Sequence, residues 1–405
     1  FPTRRSSDLL IKSYLRLSIG SIAVLLVSGC SYIPFFGDDD DEVVIELREP
    51  ALLVDFTKER SVYEHWDRSG GGSNDTSAST LTPLLDPKGF FFADNNSKIT
   101  RYDIATGETL WSNKIDNGIS GGVGGNAETI VVGDGEGNLS AYSAADGSLL
   151  WAVELSSEVL AVSAADSDIV VIRTNDNRVY AIELLSGKKV WQVNETPPAL
   201  TIRGASRPVI HKGTVYAGFD NGKLLALDLQ SGRMLWDVRV STPSGRTELD
   251  RLVDLDGVIA VDDDLVFAAS YHGRVVAVAR TTGKVLWTRD IASISGVTSD
   301  GQLIYLSDRD SQVWALQRYT GTTEWKQEKL LYRQASLPIS IGAVVMVGDF
   351  EGYLHLLAKE DGRFVGRAKI AKRALSSFAS PSDEGIGYIT DITGRFAAYS
   401  QAPNN

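Results

Sequence analysis

The sequence predicts an all-β protein: an eight-bladed β-propeller of four-stranded antiparallel blades, whose ring is closed by an N-terminal strand. Three observations predict this fold. A segment of roughly 40 residues recurs along most of the chain. Each copy contains short apolar stretches separated by turn residues. The last copy is incomplete, while an unpaired strand lies near the start of the chain.

The repeat is clearest in residues 102–111 and 142–151, which both end in Gly-x-x-x-Trp. The same pair recurs as Gly187 and Trp191, Gly232 and Trp236, Gly283 and Trp287, and Gly321 and Trp325. A seventh copy keeps Gly362 but has Gly366 in the tryptophan position. We expect the glycines in turns that need a positive φ, and the tryptophans on outer strands, where a large ring covers the gap to the next blade.

A second turn precedes each of these glycines by ten residues, at Ser97, Gly137, Asn177, Gly222, Gly273, Ser311 and Gly352. The alternating stretch Lys223–Asp228 between two such turns reads as a strand, and Thr214–Gly218 upstream reads as another. With the tryptophan strand and a short first strand, each repeat contains four strands. Four strands in roughly 40 residues are typical of a propeller blade.

An eighth partial copy at residues 390–399 supplies a third strand but no fourth. Residues 62–66 contain Trp66 and have no neighbouring strand in sequence. We therefore expect this N-terminal strand to complete the eighth blade, which closes the ring and leaves no open sheet edge there. A single propeller domain is predicted over residues 51–400.

The first 29 residues have the features of a signal peptide, with four basic residues ahead of an apolar run at 17–27. Residues 1–9 resemble a translated sequencing adapter and are expected to be artefactual. The run ends at Cys30, in a context similar to the bacterial lipobox, which predicts lipidation of this cysteine. Ser31 then favours the outer membrane, and residues 30–50, with acidic positions 38–42, are expected to form a tether.

Composition excludes several functions. The net charge of -12 argues against nucleic acid, whose binding depends on clustered lysine and arginine. A single cysteine excludes an internal disulfide and a cysteine metal cage. The four histidines (His65, His211, His272 and His355) show no convergent pattern, and residues 262–264 read as an acidic turn. No metal, no cofactor and no catalytic residue is predicted.

Two alternatives remain. The repeat resembles that of the eight-bladed dehydrogenases that use pyrroloquinoline quinone (PQQ), a resemblance that implies a periplasmic enzyme. Those enzymes stack the quinone on a disulfide of adjacent cysteines, which this chain lacks. The second alternative, a polysaccharide-binding propeller, requires exposed aromatic side chains, and Tyr271, Tyr305 and Phe350 are the candidates.

Extra residues interrupt the repeat at 194–207 and 241–257, on either side of the blade that contains Gly232. Both insertions connect an outer strand to the next inner strand, which places them on one face as neighbouring loops. The first contains apolar residues and one arginine, whereas residues 249–256 alternate charged and aliphatic side chains. Loops on a rigid scaffold commonly carry binding sites, so we predict a protein interface here.

With these loops, the lipobox and the closing strand, the chain resembles the BamB family, lipoproteins of the machinery that assembles β-barrels in the outer membrane. The resemblance implies a non-catalytic scaffold, anchored by lipid at the periplasmic face of the outer membrane. It implies binding to the POTRA domains of BamA and contact with other assembly subunits, and it leaves open direct contact with unfolded outer-membrane proteins. The family's contact positions match Leu200, Ile202, Arg203, Asp254 and Asp256, and the loop adds Asp250 and Arg251.

Overall fold

The computed structural model describes residues 48–69, 81–86, 89–94, 96–201, 204, 206–247, 249–379 and 385–403. These residues form eight four-stranded antiparallel sheets, so the predicted eight-bladed propeller is confirmed. The described part of the chain contains no helix long and apolar enough to span a membrane.

The first four blades follow one another along the chain, each beginning with its inner strand. Blade 1 consists of β2 (Leu84–Asp86), β3 (Gly89–Ala93), β4 (Lys98–Tyr102) and β5 (Thr109–Lys114). Blade 2 consists of β6 (Ile119–Gly125), β7 (Thr129–Asp134), β8 (Asn138–Ser143) and β9 (Leu149–Glu154). Blade 3 consists of β10 (Val159–Val162), β11 (Ile169–Thr174), β12 (Arg178–Glu183) and β13 (Lys189–Asn194). Blade 4 consists of β14 (Val209–His211), β15 (Thr214–Gly218), β16 (Lys223–Asp228) and β17 (Met234–Arg239).

The remaining blades keep this order until the last one. Blade 5 consists of β18 (Ala260–Val261), β19 (Leu265–Ala269), β20 (Val275–Ala279) and β21 (Val285–Arg289). Blade 6 consists of β22 (Thr298–Ser299), β23 (Leu303–Ser307), β24 (Val313–Gln317) and β25 (Thr323–Gln327). Blade 7 consists of β26 (Ile339–Ile341), β27 (Val344–Gly348), β28 (Tyr353–Ala358) and β29 (Phe364–Lys369). Blade 8 consists of β30 (Leu375–Ala379), β31 (Ile386–Asp391), β32 (Arg395–Pro403) and, outermost, β1 (Arg60–Ser69).

Strand β1 closes the ring as the sequence predicts. It pairs antiparallel with β32 from Arg60 opposite Pro403 to Ser69 opposite Arg395. Blade 8 is therefore built from the two ends of the described chain, and its outer edge strand comes from a segment more than 300 residues away in sequence.

The recurring glycine and tryptophan of the repeat form one contact between adjacent blades. The indole Nε1 of Trp191 donates to the carbonyl of Leu229 in the next blade at 2.7 Å. Its ring lies against Gly232, where an added Cβ would be 2.6 Å from the ring. The other pairs are Trp66 with Gly107, Trp111 with Gly147, Trp151 with Gly187, Trp236 with Gly283, Trp287 with Gly321, and Trp325 with Gly362.

Most of the apolar core lies between neighbouring blades. Tyr216 and Leu224 of blade 4, for example, pack in one buried cluster with Val266 and Val276 of blade 5.

Most turns between the second and third strands of a blade are held by an aspartate side chain that the sequence repeat did not indicate. In five of them an aspartate accepts the N–H groups two and four residues later: Asp94, Asp134, Asp308, Asp349 and Asp391.

Candidate functional site

Two long connections flank blade 4, as predicted. The first loop, residues 195–208, joins β13 to β14, and the second loop, residues 240–259, joins β17 to β18. In an antiparallel blade these connections lie on the same side as the turns between second and third strands. We call this side the loop face. The second loop contacts two such turns, because Leu255 N–H donates to Phe219 O at 3.4 Å and Tyr271 N–H donates to Asp254 O at 3.0 Å.

The first loop is held at its outer end by a salt bridge to blade 4. The carboxylate of Glu195 accepts from Lys223 Nζ at 3.0 Å and from Asn221 Nδ2 at 2.9 Å. Between this anchor and Thr201, most side chains are exposed. Leu200 is 43% exposed, a large value for an aliphatic side chain in a loop that is fixed at its base.

The two loops meet over the end of β15. A Cβ added to Gly218 would lie 2.7 Å from Ser206 Oγ of the first loop and 2.8 Å from Leu255 of the second. A Cβ added to Gly204 would lie 3.0 Å from the carboxyl group of Asp256. The predicted neighbouring pair of loops is therefore present. Gly218 leaves no room for a side chain between the two loops, and the approach at Gly204 is tight.

The second loop has an exposed tip and a buried base. At the tip, Asp250 accepts from Thr247 N–H and Thr247 Oγ1 accepts from Asp250 N–H, both at 3.1 Å. These hydrogen bonds lower the pKa of Asp250. Arg251 Nε donates to Gly245 O at 3.3 Å. The local hydrogen bonds give the tip a defined shape that presents Asp250 and Arg251 to solvent.

The base of the second loop contributes to the core. Leu252, Val253 and Leu255 are buried, and Asp254 between them is 0% exposed. Asp256 is also largely covered, and burial, together with the nearby carboxylates of Asp254 and Asp220, raises its pKa to about 8. The predicted contact positions include both aspartates, but Asp254 is fully buried and Asp256 is mostly covered.

A buried ion pair supports this base. Arg173 in β11 is 0% exposed and its Nη2 lies 2.6 Å from the Asp220 carboxylate. Its Nε donates to Gly218 O at 3.3 Å, so the guanidinium reaches the strand end on which both loops pack. Sequence reasoning missed Arg173 and Asp220, because a charged residue inside an apolar strand gives no indication of its partner.

The predicted binding residues are thus only partly brought together on a surface. Leu200, Asp250 and Arg251 are exposed on the loop face, while Asp254 and Asp256 lie beneath it. Ile202, Arg203 and the predicted lipidation residue Cys30 lie outside the described residues. Leu249, which is 65% exposed beside Asp250, was not predicted as a contact and adds an apolar side chain to the same tip.

The residues considered for metal, catalytic or polysaccharide sites take structural roles or do not form a site. Asp262 caps the turn at 262–264 by accepting the N–H groups of Asp264 and Leu265. His355 is buried and hydrogen-bonded to Asp349 at 3.0 Å, and burial lowers its pKa. Tyr305 is fully buried, and Tyr271 and Phe350 are only partly exposed, so these three rings do not form an exposed aromatic platform. The described residues contain no group of three or more acidic, histidine or cysteine side chains placed to hold a metal ion.

Comparisons with known proteins show which family the chain is similar to. A family model described as "Outer membrane protein assembly factor BamB" matches residues 95–327. A protein of that name from Kangiella koreensis is 40% identical over 386 residues, which cover 94% of this chain and 96% of that protein. The crystal structure of BamB from Moraxella catarrhalis matches with a TM-score of 0.76 and 28% identity, over 84% of this chain and all of the other.

A likeness to enzymes is limited to the fold. The quinohemoprotein alcohol dehydrogenase ADHIIG from Pseudomonas putida HK5 matches with a TM-score of 0.65 but only 12% identity, over 84% of this chain and 76% of that enzyme.

Proposed function

The chain belongs to the BamB family of outer membrane protein assembly factors, and from this premise we propose that it is a non-catalytic scaffold subunit of the outer-membrane β-barrel assembly complex. In this role it binds the periplasmic POTRA domains of BamA and supports the insertion of β-barrel proteins. Other subunits of the complex, and unfolded outer-membrane proteins, are further partners consistent with the role.

The observation that carries the proposal is the pair of loops beside blade 4. The first loop is fixed to the blade by Glu195, and the two loops lie against each other where Gly204 approaches Asp256. Above this base they expose aliphatic side chains, Leu200 and Leu249, beside charged Asp250 and Arg251. Apolar side chains surrounded by charged ones, on loops already held in shape, are the makeup of a protein interface and bind at low ordering cost.

We assign the seven predicted interface residues two roles. Leu200, Asp250 and Arg251, with Ile202 and Arg203, are proposed to contact the partner. Asp254 and Asp256 are proposed to shape the surface from below. Asp254 is 0% exposed and cannot reach a partner without loop opening, and Asp256, which is partly exposed, lies against Gly204 of the first loop. The two aspartates therefore act on binding through the loop that they hold.

For localisation, we propose that residues 1–29 are removed as a signal peptide and that acylated Cys30 anchors the protein at the periplasmic face of the outer membrane. Several acyl chains on one cysteine would hold it there durably, because each buried methylene contributes about 0.8 kcal/mol. Residues 30–50 then connect the lipid to the propeller domain at 51–400.

The absence of catalysis is part of the proposal. It is supported by the family name of the relatives and by the single cysteine, which excludes the adjacent disulfide of the PQQ enzymes. The outer tryptophans support it as well, since each is engaged with a glycine of the next blade rather than with a common pocket.

Binding to the POTRA region of BamA tests the proposal. The soluble form from Ser31 onward is titrated with that region by calorimetry, together with a Leu200→Asp, Arg251→Glu variant. A matched control, Leu185→Asp, changes an aliphatic residue that is 70% exposed in the turn after β12, on the opposite face. We expect the loop variant to lose at least about tenfold in affinity, or 1.4 kcal/mol, and the control to bind normally.

Circular dichroism of both variants checks that the fold is unchanged. Equal binding by the loop variant and the unmutated protein would contradict the assignment of the interface to these loops. No binding by the unmutated protein would contradict the proposed partner.

A further inference from the structure

Arg207, near the inner end of the first loop, contacts three other blades through its guanidinium. Its Nε donates to Val162 O in β10 at 2.8 Å, and its Nη2 donates to Val123 O in β6 at 2.9 Å. Its Nη1 reaches Pro83 O, just before β2, at 3.5 Å. One guanidinium on the connection to blade 4 thus contacts the inner edges of blades 3, 2 and 1.

The partners of this guanidinium are unusual because all of them are backbone carbonyls. In the described part of the chain, no carboxylate lies within ion-pair distance of Arg207. Burial without a carboxylate lowers the pKa of Arg207 to about 10, so the group remains charged at neutral pH. The Arg207 residue is partly exposed, but its guanidinium has given up part of its hydration and needs hydrogen-bond acceptors in exchange. The three carbonyls supply them, which favours this one arrangement of the side chain.

The surrounding residues show what this arrangement holds. Ser206, next in the chain, is 1% exposed and lies against Gly218, and Gly204 lies against Asp256 of the second loop. The other end of the first loop is held separately by Glu195. The first loop therefore has one anchor at the outer strands and one at the centre of the ring, with exposed Leu200 between them.

We propose that Arg207 is a positioning residue for partner binding: it fixes the inner end of the first loop so that Leu200 and its neighbours are held beside the second loop. This inference rests on the proposed function, because it concerns the same binding surface. It assigns the shape of that surface to a residue that the predicted interface did not include. Arginine suits the task, since its planar fork can donate to several carbonyls at once whereas lysine offers a single point charge.

Two variants and one control test the proposal in the soluble protein from Ser31 onward. Arg207→Met keeps the aliphatic stem but removes all three hydrogen bonds, and Arg207→Lys keeps the charge and can reach one carbonyl. The control is Arg289→Met: Arg289 in β21 also bridges two blades, donating to Gly321 O and to Thr323 Oγ1, and neither hydrogen bond involves the two loops. Affinity for the POTRA region and amide hydrogen exchange of residues 195–206 and of β16 are measured for each.

We expect Arg207→Met to lower the affinity about tenfold, Arg207→Lys to lower it about threefold, and Arg289→Met to leave it unchanged, because a loop that must be ordered on binding costs affinity. Exchange should accelerate in residues 195–206 of the Arg207 variants, while β16 stays protected. If Arg207→Met fails to fold, the lysine variant decides the test by the same two measurements.

The two proposals fail in different ways. Affinity within twofold of the unmutated protein for Arg207→Met, while the Leu200→Asp, Arg251→Glu variant binds at least tenfold more weakly, would overturn the positioning role and leave the interface intact. Unchanged exchange in the first loop would overturn it as well. Absence of binding by the unmutated protein would refute the proposed function, and exchange alone would then decide whether Arg207 fixes the loop.

Discussion

Three carboxylates, Asp220, Asp254 and Asp256, lie close together under the loops with one fully buried guanidinium near them. That guanidinium, Arg173, is already engaged by Asp220 at 2.6 Å. Burial and the two like charges therefore dominate at Asp256 and raise its pKa to about 8, although Arg173 acts in the opposite direction. At neutral pH the folded protein favours the protonated form of Asp256, whereas the unfolded chain ionises it near pH 4.

This shift predicts a pH-dependent effect of Asp256→Asn. Below the pKa of Asp256 in the unfolded chain, the carboxyl group is protonated in both states and does not affect the free energy of unfolding. As the pH rises from there toward 8, the unfolded chain ionises and the folded protein does not, so the free energy of unfolding falls. The neutral amide avoids that cost, so we expect Asp256→Asn to stabilise the protein by about 1 to 3 kcal/mol at pH 8 and by almost nothing at pH 4. Urea unfolding at several pH values measures the difference. A gain that is the same at pH 4 and pH 8 would show that ionisation of Asp256 is not its cause.

Two turn glycines allow the cost of a blocked contact between blades to be separated from the cost of a left-handed backbone conformation. Gly232 and Gly213 of blade 4 have almost the same φ, +69° and +72°, but only Gly232 lies against the Trp191 ring, whereas Gly213 faces open space. We expect Gly213→Ala to cost about 1 kcal/mol, from the left-handed backbone alone. Gly232→Ala should cost about 2 to 4 kcal/mol, since the ring must also move. Chemical denaturation compares them, and equal costs would refute a steric role for the glycine in blade contact.

At the scale of elements, β29 differs from the other outer strands because a segment of the chain covers it. Residues 54–59 run along blade 7, where Glu59 N–H donates to Val365 O at 2.9 Å and Arg367 Nη1 donates to Val54 O at 3.0 Å. The Phe56 ring stacks on Phe364 with centroids 5.6 Å apart. These contacts lead directly into β1, so the covering segment fixes the direction in which the closing strand enters blade 8.

This arrangement explains why Gly366 replaces the repeated tryptophan. A tryptophan in β29 would dock on the turn between the third and outer strands of blade 8, but those strands come from opposite ends of the chain and share no turn. The backbone of Arg60 is there instead, with its carbonyl 2.7 Å from where a Gly366 Cβ would lie. The sequence repeat shows that Gly366 stands where the other copies have tryptophan. The position of β1 beside it explains why.

Restoring the repeat at this position should therefore be harmful. A consensus argument expects Gly366→Trp to stabilise the protein, whereas the structure predicts a clash with Arg60 that displaces β1 from β32. We expect a loss of about 3 kcal/mol or more, as for severe overpacking. Thermal unfolding measures the change, and faster proteolysis between residues 48 and 69 would identify β1 as the displaced element. A higher melting temperature would contradict this account of the closure.

For the whole molecule, the periodic features were predictable and the local exceptions were not. Blade number, closure by residues around Trp66 and the adjacency of the two long loops follow from the spacing of glycine and tryptophan, because that spacing repeats a physical contact. The burial of Asp254 and the span of Arg207 could not be predicted, because each depends on partners in several blades. Loop composition indicated a binding surface, whereas the division into exposed and supporting residues required the fold.

The pairing of β1 with β32 that completes blade 8 is non-covalent, which leads to a prediction about covalent closure. A disulfide between cysteines at Tyr63 and Ser400, which are paired across these strands, would enclose roughly 340 residues. A control disulfide at Thr100 and Ser112, whose side-chain oxygens are 3.0 Å apart in blade 1, would enclose roughly 12. Because loop-closure entropy grows with the logarithm of loop length, the ring disulfide should stabilise the protein by about 3 kcal/mol more than the control disulfide.

The gain is measured by unfolding each oxidised protein and its reduced form, in a chain that lacks Cys30. Equal gains would mean that the two ends of the ring stay associated in the unfolded chain, so that closure is not the entropic step inferred here.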